Sequence, residues 1–243
     1  QYVVGPVQTN CYFAINDDTK EVLVIDPGAS ADQLAEKIRQ ENLTPVAILL
    51  THGHLDHVID IAFLIDAFYA IKTKPLHVYG LKDTLDTLRA NILNWKVWPD
   101  FSELDLIDKS GKSIVFHEIN YGDKFTFDNL KIEPIVTCHT VASCGYKLEK
   151  YGRETIITSD TGVCEELTKE IKESKKLKNL VIECSFPSRF KHLANDSKHL
   201  TPALLEEELK KVDKISFNIF INHLKPFYES EIISEIKSVE LLK

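Results

Sequence analysis

The chain has no methionine, only two tryptophans and an odd number of cysteines, five. It also has no apolar run that approaches the length of a transmembrane helix, and no basic start followed by an apolar stretch. Scattered cysteines of this kind do not form a disulfide framework, so we expect Cys138 and Cys184 to pack in the core of a protein from a reducing compartment. We therefore expect a cytoplasmic protein that binds no membrane. A periplasmic location stays open because Gln1, not Met, begins the chain.

The chain also has fewer basic than acidic residues. The chain has 29 Lys and Arg against 37 Asp and Glu, which gives a net charge of -8. This balance excludes a protein that coats a large nucleic acid through a basic surface. It is compatible with a small phosphate-containing substrate, because bound metal ions supply positive charge locally.

The 243 residues, of which 44% are apolar and 27% charged, suffice for a sizeable core. Runs typical of strands alternate with segments that have helical spacing, and the chain contains no internal repeat or linker. The simplest interpretation is a single α/β (α+β) domain over residues 1–243, made of two strand-and-helix halves.

The most informative segment is His52-Gly53-His54-Leu55-Asp56-His57, directly after the apolar run 46–51. A strand that ends in a loop here would turn the first two histidines one way and the last two side chains another. Each pair then needs further ligands, which predicts two metal ions close together. Imidazole and carboxylate suit zinc best, with manganese or iron as alternatives. Two such ions activate water for hydrolysis at neutral pH.

Further residues of the ligand type follow apolar runs later in the chain. His139 follows the run 132–136, Asp160 follows the run 156–157, and His223 follows the run 217–221. An incidental surface cluster of histidines would have no such partners downstream. The pattern therefore favours a metal centre built from the ends of several strands.

With these motifs in this order, the chain resembles the metallo-β-lactamase superfamily over nearly its whole length. The resemblance implies a four-layer αββα sandwich with the metals at the rim between the sheets. It implies a first metal on His52, His54 and His139, a second on Asp56, His57 and His223, and Asp160 bridging both. It also implies that Asp26, in the turn Asp26-Pro27-Gly28, orients a ligand histidine.

Within this superfamily the chain is similar to class II cyclic-nucleotide phosphodiesterases. The likeness lies in residues 91–101, here called the tryptophan segment, and in residues 139–146, 182–187 and 198–202. Trp95 or Trp98 would then stack on the nucleotide base, with Asn94 as a polar contact. The family usually has a small residue three positions after His57, where this chain has Asp60.

His199 lies outside the seven ligands, before a helix that Thr201 and Pro202 can start. In the resembling phosphodiesterases a histidine in this region contacts the phosphate, which implies a catalytic and substrate-binding role for His199. Glu183 would orient it, or would pair with a lysine as a buried carboxylate at a strand end. Asp56 is assigned a catalytic role beside its role as a ligand. A helix-cap neighbour at the surface is the alternative for His199.

The predicted reaction is the hydrolysis of a small 3′,5′-cyclic nucleotide, cyclic AMP or cyclic GMP, to the 5′-monophosphate. Three other functions stay open. A glyoxalase II-type thioesterase has the same seven ligands, and an RNase Z-like phosphodiesterase has them together with a late histidine. A non-hydrolytic metal protein of the same fold is the third, and a homodimer is an open possibility for each.

Overall fold

Two six-stranded mixed sheets, each flanked by helices of its own half of the chain, form the computed structural model, which describes residues 1–240. The halves are two compact units, Gln1–Ile119 and a second unit from Asn120 onward. The mixed α/β class predicted from the sequence is confirmed. No helix within residues 1–240 is long and apolar enough to cross a membrane.

The first unit contains strands β1 to β6 in sequential order across the sheet. An antiparallel meander of β1 to β3 is followed by parallel pairing of β3 with β4, β4 with β5 and β5 with β6. The strands are β1 (Tyr2–Val4), β2 (Thr9–Ile15), β3 (Glu21–Ile25), β4 (Thr44–Leu49), β5 (Leu76–Gly80) and β6 (Ile114–Glu118). The helices are α1 (Ala31–Gln40), α2 (Leu55–Val58), α3 (Ile61–Tyr69) and α4 (Lys82–Asn91).

The core of this unit forms where the apolar faces of α1, α3 and α4 meet the sheet. Leu34 and Ile38 of α1 lie on one face at helical spacing, and both are buried with Ile65 of α3 and Val78 of β5. Asp60, which replaces the small residue usual in the resembling family, has a structural function here. Its Oδ2 accepts a hydrogen bond of 2.7 Å from the backbone N–H of Ala31, the first residue of α1.

The second unit repeats this plan with its own sheet, in the order β12-β11-β10-β9-β8-β7. Strands β7 to β10 pair antiparallel, whereas β10, β11 and β12 run parallel. The strands are β7 (Phe125–Phe127), β8 (Leu130–Val136), β9 (Cys144–Lys150), β10 (Arg153–Ile157), β11 (Leu177–Glu183) and β12 (Asn218–Asn222). The helices are α5 (Glu165–Glu173), α6 (Lys191–Ser197), α7 (Pro202–Leu209) and α8 (Glu229–Ser238).

The cysteines of the second unit differ in part from the expectation. Cys184 is buried in the core, as predicted. Cys138 is partly buried and packs against this core, but it also forms a disulfide with Cys164, with the two Cα atoms 5.4 Å apart. The disulfide was not predicted, because a fold can bring together two cysteines 26 residues apart without any local pattern that marks the pair.

The parallel arrangement places the carboxyl ends of neighbouring strands at one edge of each sheet. In the first unit this edge carries Asp26, directly after β3, and His52, shortly after β4. In the second unit it carries Asp160 after β10 and His223 after β12. The topology of each sheet thus gathers the ligand-type side chains that the sequence places at strand ends.

Gly28 lies so close to α2 that no larger residue fits without a movement of the backbone. A Cβ atom built on Gly28 would lie 1.6 Å from the backbone oxygen of Asp56 and 2.9 Å from the Cα of His57. The contact is with backbone atoms, which cannot rotate away. The turn after β3 therefore fixes the position of the helix that carries two candidate ligands.

We predict that Gly28→Ala lowers the free energy of unfolding by about 1–3 kcal/mol, the usual cost of forcing extra volume into a packed site. Gly111→Ala is the matched control, since a Cβ there meets nothing within 4 Å. Urea unfolding of both variants measures the difference. Equal stability of the two variants would contradict the close approach at Gly28.

Candidate metal centre

Three residues after strands of the two sheets adopt a left-handed backbone. Asp26 after β3, Ser159 after β10 and His223 after β12 have φ values of 50°, 57° and 54°. This region is sparsely populated by residues other than glycine, although Asp and His enter it more readily than most. The chain turns sharply at these points, so that a polar side chain follows each strand at the sheet edge.

Asp26 organises residues 52–57 of the first unit, here called the ligand segment. Its side chain is buried, and Oδ1 accepts a hydrogen bond of 2.9 Å from the backbone N–H of Thr51. Oδ2 lies 2.6 Å from Thr51 Oγ1 and 3.0 Å from His57 Nδ1. One carboxylate thus joins the end of β4 to α2. This contact is the kind that the orienting role predicted for Asp26 requires.

The four ligand-type side chains of this unit lie close together. The ring of His52 is 4.7 Å from that of His54 and 4.1 Å from that of His57, measured between centroids. Asp56 Oδ2 accepts a hydrogen bond of 2.9 Å from the Thr9 hydroxyl. His52 and His57 are buried, whereas His54 and Asp56 are half-buried. The segment therefore presents three imidazoles and a carboxylate from one turn and one short helix.

In the second unit, Asp160 lies between two of the predicted ligands. Its Oδ2 is 3.2 Å from His223 Nε2 and 3.9 Å from His139 Nε2. All three side chains are almost fully buried, and His139 Nδ1 lies 3.0 Å from the backbone oxygen of Lys198. The structure thus brings together the three ligand-type residues that the sequence assigned to this half of the chain.

His199 lies in the same cluster. Ligand atoms of His139, Asp160 and His199 are all within 4.8 Å of one another, so this set could itself hold a metal ion. The ring centroids of His199 and His223 are 5.5 Å apart. His199 therefore lies beside these ligand-type residues, and it is not a cap neighbour at the surface, because only 8% of the residue is exposed.

A fully buried carboxylate, Glu183, holds His199 in place. Its Oε1 is 2.6 Å from His199 Nδ1 and accepts a bond of 2.9 Å from the backbone N–H of Thr161. Its Oε2 accepts from Ser185 Oγ at 2.7 Å and from the Leu200 backbone N–H at 3.2 Å. These contacts agree with the orienting role that the sequence predicted for Glu183.

The pKa of His199 is raised above its ordinary value by these surroundings. Burial alone would lower the pKa, but the charge of Glu183 and its hydrogen bond outweigh burial, and Asp160 adds to the effect. In the metal-free protein the imidazolium of His199 is therefore more stable relative to the neutral ring than it is in a free histidine.

The donor set fits divalent transition-metal ions. His52, His57, His139 and His199 each have Nδ1 within hydrogen-bond distance of a protein oxygen, from Thr51, Asp26, Lys198 and Glu183 respectively. Such contacts fix the ring and direct Nε2 toward a metal, as is usual in metalloenzymes. Imidazole with carboxylate is the ligand chemistry of zinc, manganese and iron.

Sequence reasoning missed several residues that support this centre. Thr51 links His52 to Asp26, Thr9 binds Asp56, and Ser185 lies 3.3 Å from His199 Nδ1. Thr51 could have been found, because it lies directly between β4 and the first ligand. Thr9 carries no local signal, since its partner Asp56 is distant in sequence, whereas Ser185 lies two residues from Glu183 in the segment 182–187.

The structure separates the roles of the residues in the tryptophan segment. The Asn94 side chain accepts hydrogen bonds from the backbone N–H groups of Lys96 and Val97 and donates one to Ala90, so it holds the loop. The half-buried Trp98 packs against Phe63 with ring centroids 4.8 Å apart. Trp95 is 55% exposed, and its indole N–H donates to Glu103 at 2.8 Å.

Comparison with known proteins gives a consistent classification. A model of the metallo-beta-lactamase superfamily matches residues 4–163. The solved structure of unliganded yeast PDE1 superposes with a TM-score of 0.76 at 18% identity, covering 96% of this chain and 90% of that one. This likeness shows the fold, and the predicted fold of metallo-β-lactamase type is confirmed.

Two curated bacterial relatives match a shorter stretch. Each is 49% identical over 55 residues, 23% of this chain. They are named a probable metallo-hydrolase, YqgX, from Bacillus subtilis and a hydroxyacylglutathione hydrolase, GloC, from Haemophilus influenzae. The chain spans about a quarter of the length of these relatives, 25% and 26%.

We predict that Glu183→Gln lowers the pKa of His199 in the metal-free protein below that of the unchanged chain. The carboxylate that favours the imidazolium is gone, while the burial that opposes it remains. The test is an NMR titration of the histidine ring, with the signal assigned through His199→Gln. Glu207→Gln, an exposed partner of Lys191, is the control and should leave this pKa unchanged. An unaltered pKa in Glu183→Gln would contradict the assignment.

Proposed function

Because the chain belongs to the metallo-β-lactamase superfamily, a family of metal-dependent hydrolases, we propose that it hydrolyses 3′,5′-cyclic nucleotides to nucleoside 5′-monophosphates. The proposal has three parts: a pair of metal ions, a histidine that acts on the phosphate and an exposed indole that binds the base. Each part has support in a different group of side chains.

We assign the metal ions to the seven ligand-type residues of the superfamily motif. The first ion would take His52, His54 and His139, the second would take Asp56, His57 and His223, and Asp160 would be common to both. The chemistry of these donors favours zinc, with manganese or iron as alternatives. Bound there, the ions would activate water and neutralise charge on the phosphoryl oxygens.

The observation that carries the choice of substrate class is the pair of Glu183 and His199. The carboxylate holds the imidazole at 2.6 Å and favours its protonated form. Opening of a cyclic phosphate expels the 3′ oxygen of ribose, a strongly basic alkoxide that needs a proton or a positive charge nearby. His199 would donate that proton from Nε2, or stabilise the phosphoryl charge, while Glu183 stabilises the imidazolium.

Trp95 is the better candidate for contact with the base. Its ring is exposed, and the hydrogen bond to Glu103 fixes its orientation, whereas the ring of Trp98 packs against Phe63 and the core. A flat exposed indole can stack on a purine base. Such stacking does not depend on the hydrogen-bonding groups at the edge of the base. The arrangement gives no preference between cyclic AMP and cyclic GMP.

A glyoxalase II-type thioesterase is the second candidate. Its support is the relative from Haemophilus influenzae named hydroxyacylglutathione hydrolase, which is 49% identical over 55 residues. Hydrolysis of a thioester expels a thiolate, which is a much weaker base than an alkoxide. Such a reaction has little need of the proton donor that Glu183 and His199 provide.

We predict that the metal-loaded protein hydrolyses cyclic AMP or cyclic GMP with a higher kcat/KM than S-lactoylglutathione. His199→Ala should slow cyclic-nucleotide hydrolysis by roughly 10²–10⁴-fold, the usual contribution of a positioned acid. It should affect bis(4-nitrophenyl) phosphate much less, because nitrophenolate leaves without a proton. Product formation on the three substrate classes measures these differences.

Metal analysis of the same variant provides the control. If His199→Ala keeps its metal and loses only cyclic-nucleotide activity, the role of His199 on the phosphate is supported. Loss of metal would identify His199 as a ligand instead. Faster hydrolysis of S-lactoylglutathione than of either cyclic nucleotide would overturn the phosphodiesterase proposal in favour of the thioesterase.

We predict that Trp95→Ala and Trp98→Ala have different effects. Trp95→Ala should raise KM for cyclic AMP by about tenfold, within the range expected for one stacked base, and leave bis(4-nitrophenyl) phosphate hydrolysis unchanged. Trp98→Ala should instead lower the free energy of unfolding by about 2–3 kcal/mol, because the ring packs beside the core. Kinetics and urea unfolding of both variants measure the change in KM and the change in stability. Equal effects on both substrates in Trp95→Ala would exclude base stacking.

A further inference from the structure

A cleft in the first unit lies at the start of β4, at the other end of the strand from His52. Its volume is about 620 Å³, within the size range of small-molecule sites. Thr44 and Pro45 line it, and the six residues of β4 place it roughly 17–20 Å from the ligand segment. The cleft is therefore separate from the candidate metal centre.

The floor of the cleft is apolar. Ile38 of α1, Phe68 of α3 and Leu43 line it, and each is less than 9% exposed. Pro45 and Ile71 extend this apolar surface toward the rim. Such a surface can bind an aliphatic or aromatic group by excluding water.

The rim carries an excess of positive charge. Arg39, Lys72 and Lys74 line the cleft, against a single lining carboxylate, Glu21, although Arg39 is also paired with Glu36 of the same helix at 3.1 Å. The whole chain has the opposite balance, with a net charge of -8. The concentration of cations at one cleft of an acidic protein therefore favours an anionic ligand.

Lys72 is a partly buried cation of this rim. Its Nζ donates a hydrogen bond of 3.0 Å to the backbone oxygen of Pro45. No carboxylate within residues 1–240 lies at ion-pair distance from it, and burial lowers its pKa to about 8. A partly buried ammonium group that lacks a counterion can gain from an anion supplied by a ligand.

We propose that this cleft binds a small molecule in which an anionic group is attached to an apolar or aromatic body. The anion would lie against Lys72, with Arg39 and Lys74 at the rim, and the apolar body would lie on Leu43 and Phe68. The proposal concerns a second site and does not depend on the cyclic-nucleotide activity.

Two fluorescent probes that differ in charge test the proposal. One is 8-anilinonaphthalene-1-sulfonate, and the other is N-phenyl-1-naphthylamine, which has the same ring systems without the sulfonate. We expect the full chain to bind both, and Lys72→Met to weaken only the sulfonate by about tenfold or more, as for a lost charge-assisted contact. Lys175→Met, an exposed lysine of the second unit, is the matched control and should change neither affinity.

The pH dependence of sulfonate binding provides a second test of the contact between the sulfonate and Lys72. Because the ammonium form of Lys72 binds the anion, the affinity for the sulfonate should fall as pH rises above about 8. The other charged or titratable groups around Lys72 are Glu21, Arg39, Lys74 and His77. Lys72→Met retains all four, so its affinity should not depend on pH over the same range.

The measurements are repeated with EDTA to remove any contribution from the metal centre. Sulfonate affinity that survives EDTA and falls in Lys72→Met supports the site. The proposal is overturned if Lys72→Met binds the sulfonate as tightly as the unchanged chain does. It is also overturned if both probes lose affinity equally in Lys72→Met, or if EDTA abolishes binding.

Discussion

In each unit, the cluster of ligand-type side chains depends on a buried carboxylate that fixes a histidine ring. Asp26 contacts His57 Nδ1 and both the backbone and the hydroxyl of Thr51, while Glu183 contacts His199 Nδ1 and two backbone N–H groups. A buried carboxylate costs several kcal/mol unless hydrogen bonds compensate it, and here several donors do so. Because these donors come from different elements, each carboxylate ties a histidine to the strand ends around it. The imidazoles are thereby oriented before any ligand binds.

The rest of each unit keeps the buried carboxylate and its histidine in contact. Parallel strands bring the turns to one edge, and left-handed residues such as Asp26 and His223 start the turns there. Gly28 lets the turn after β3 approach α2 closely enough for Asp26 to reach His57. Asp60 caps α1 beside the same region, so a residue that departs from the resembling family supports the local structure. The turns that position the ligand-type side chains thus also stabilise the local structure at the strand ends.

The sequence was sufficient to predict the mixed α/β class and the position of ligand-type residues after strands, because apolar runs that end in His or Asp are a strong local signal. Helix α8 was missed, since Glu229–Ser238 is mostly polar and only Ile232 is fully buried. The Cys138–Cys164 disulfide, the contact of Thr9 with Asp56 and the contact of Ser185 with His199 join residues that are far apart in sequence, so no local pattern marks them. Asn94 was assigned to the substrate, whereas its visible hydrogen bonds hold its own loop. Local patterns thus picked out ligand-type residues that the fold of each unit brings together, but they could not show how these side chains are held.

The metal content of the purified chain tests the central claim most directly, because every proposed role of the histidines assumes two ions. Elemental analysis after saturation with zinc and removal of loosely bound metal should give two ions per chain. Asp160→Ala should bind fewer and lose hydrolytic activity, whereas Asp196→Ala, a change in α6 outside the ligand set, should retain both ions. A protein that binds one ion or none and is still fully active, or an Asp160→Ala variant with normal content and activity, would contradict the account.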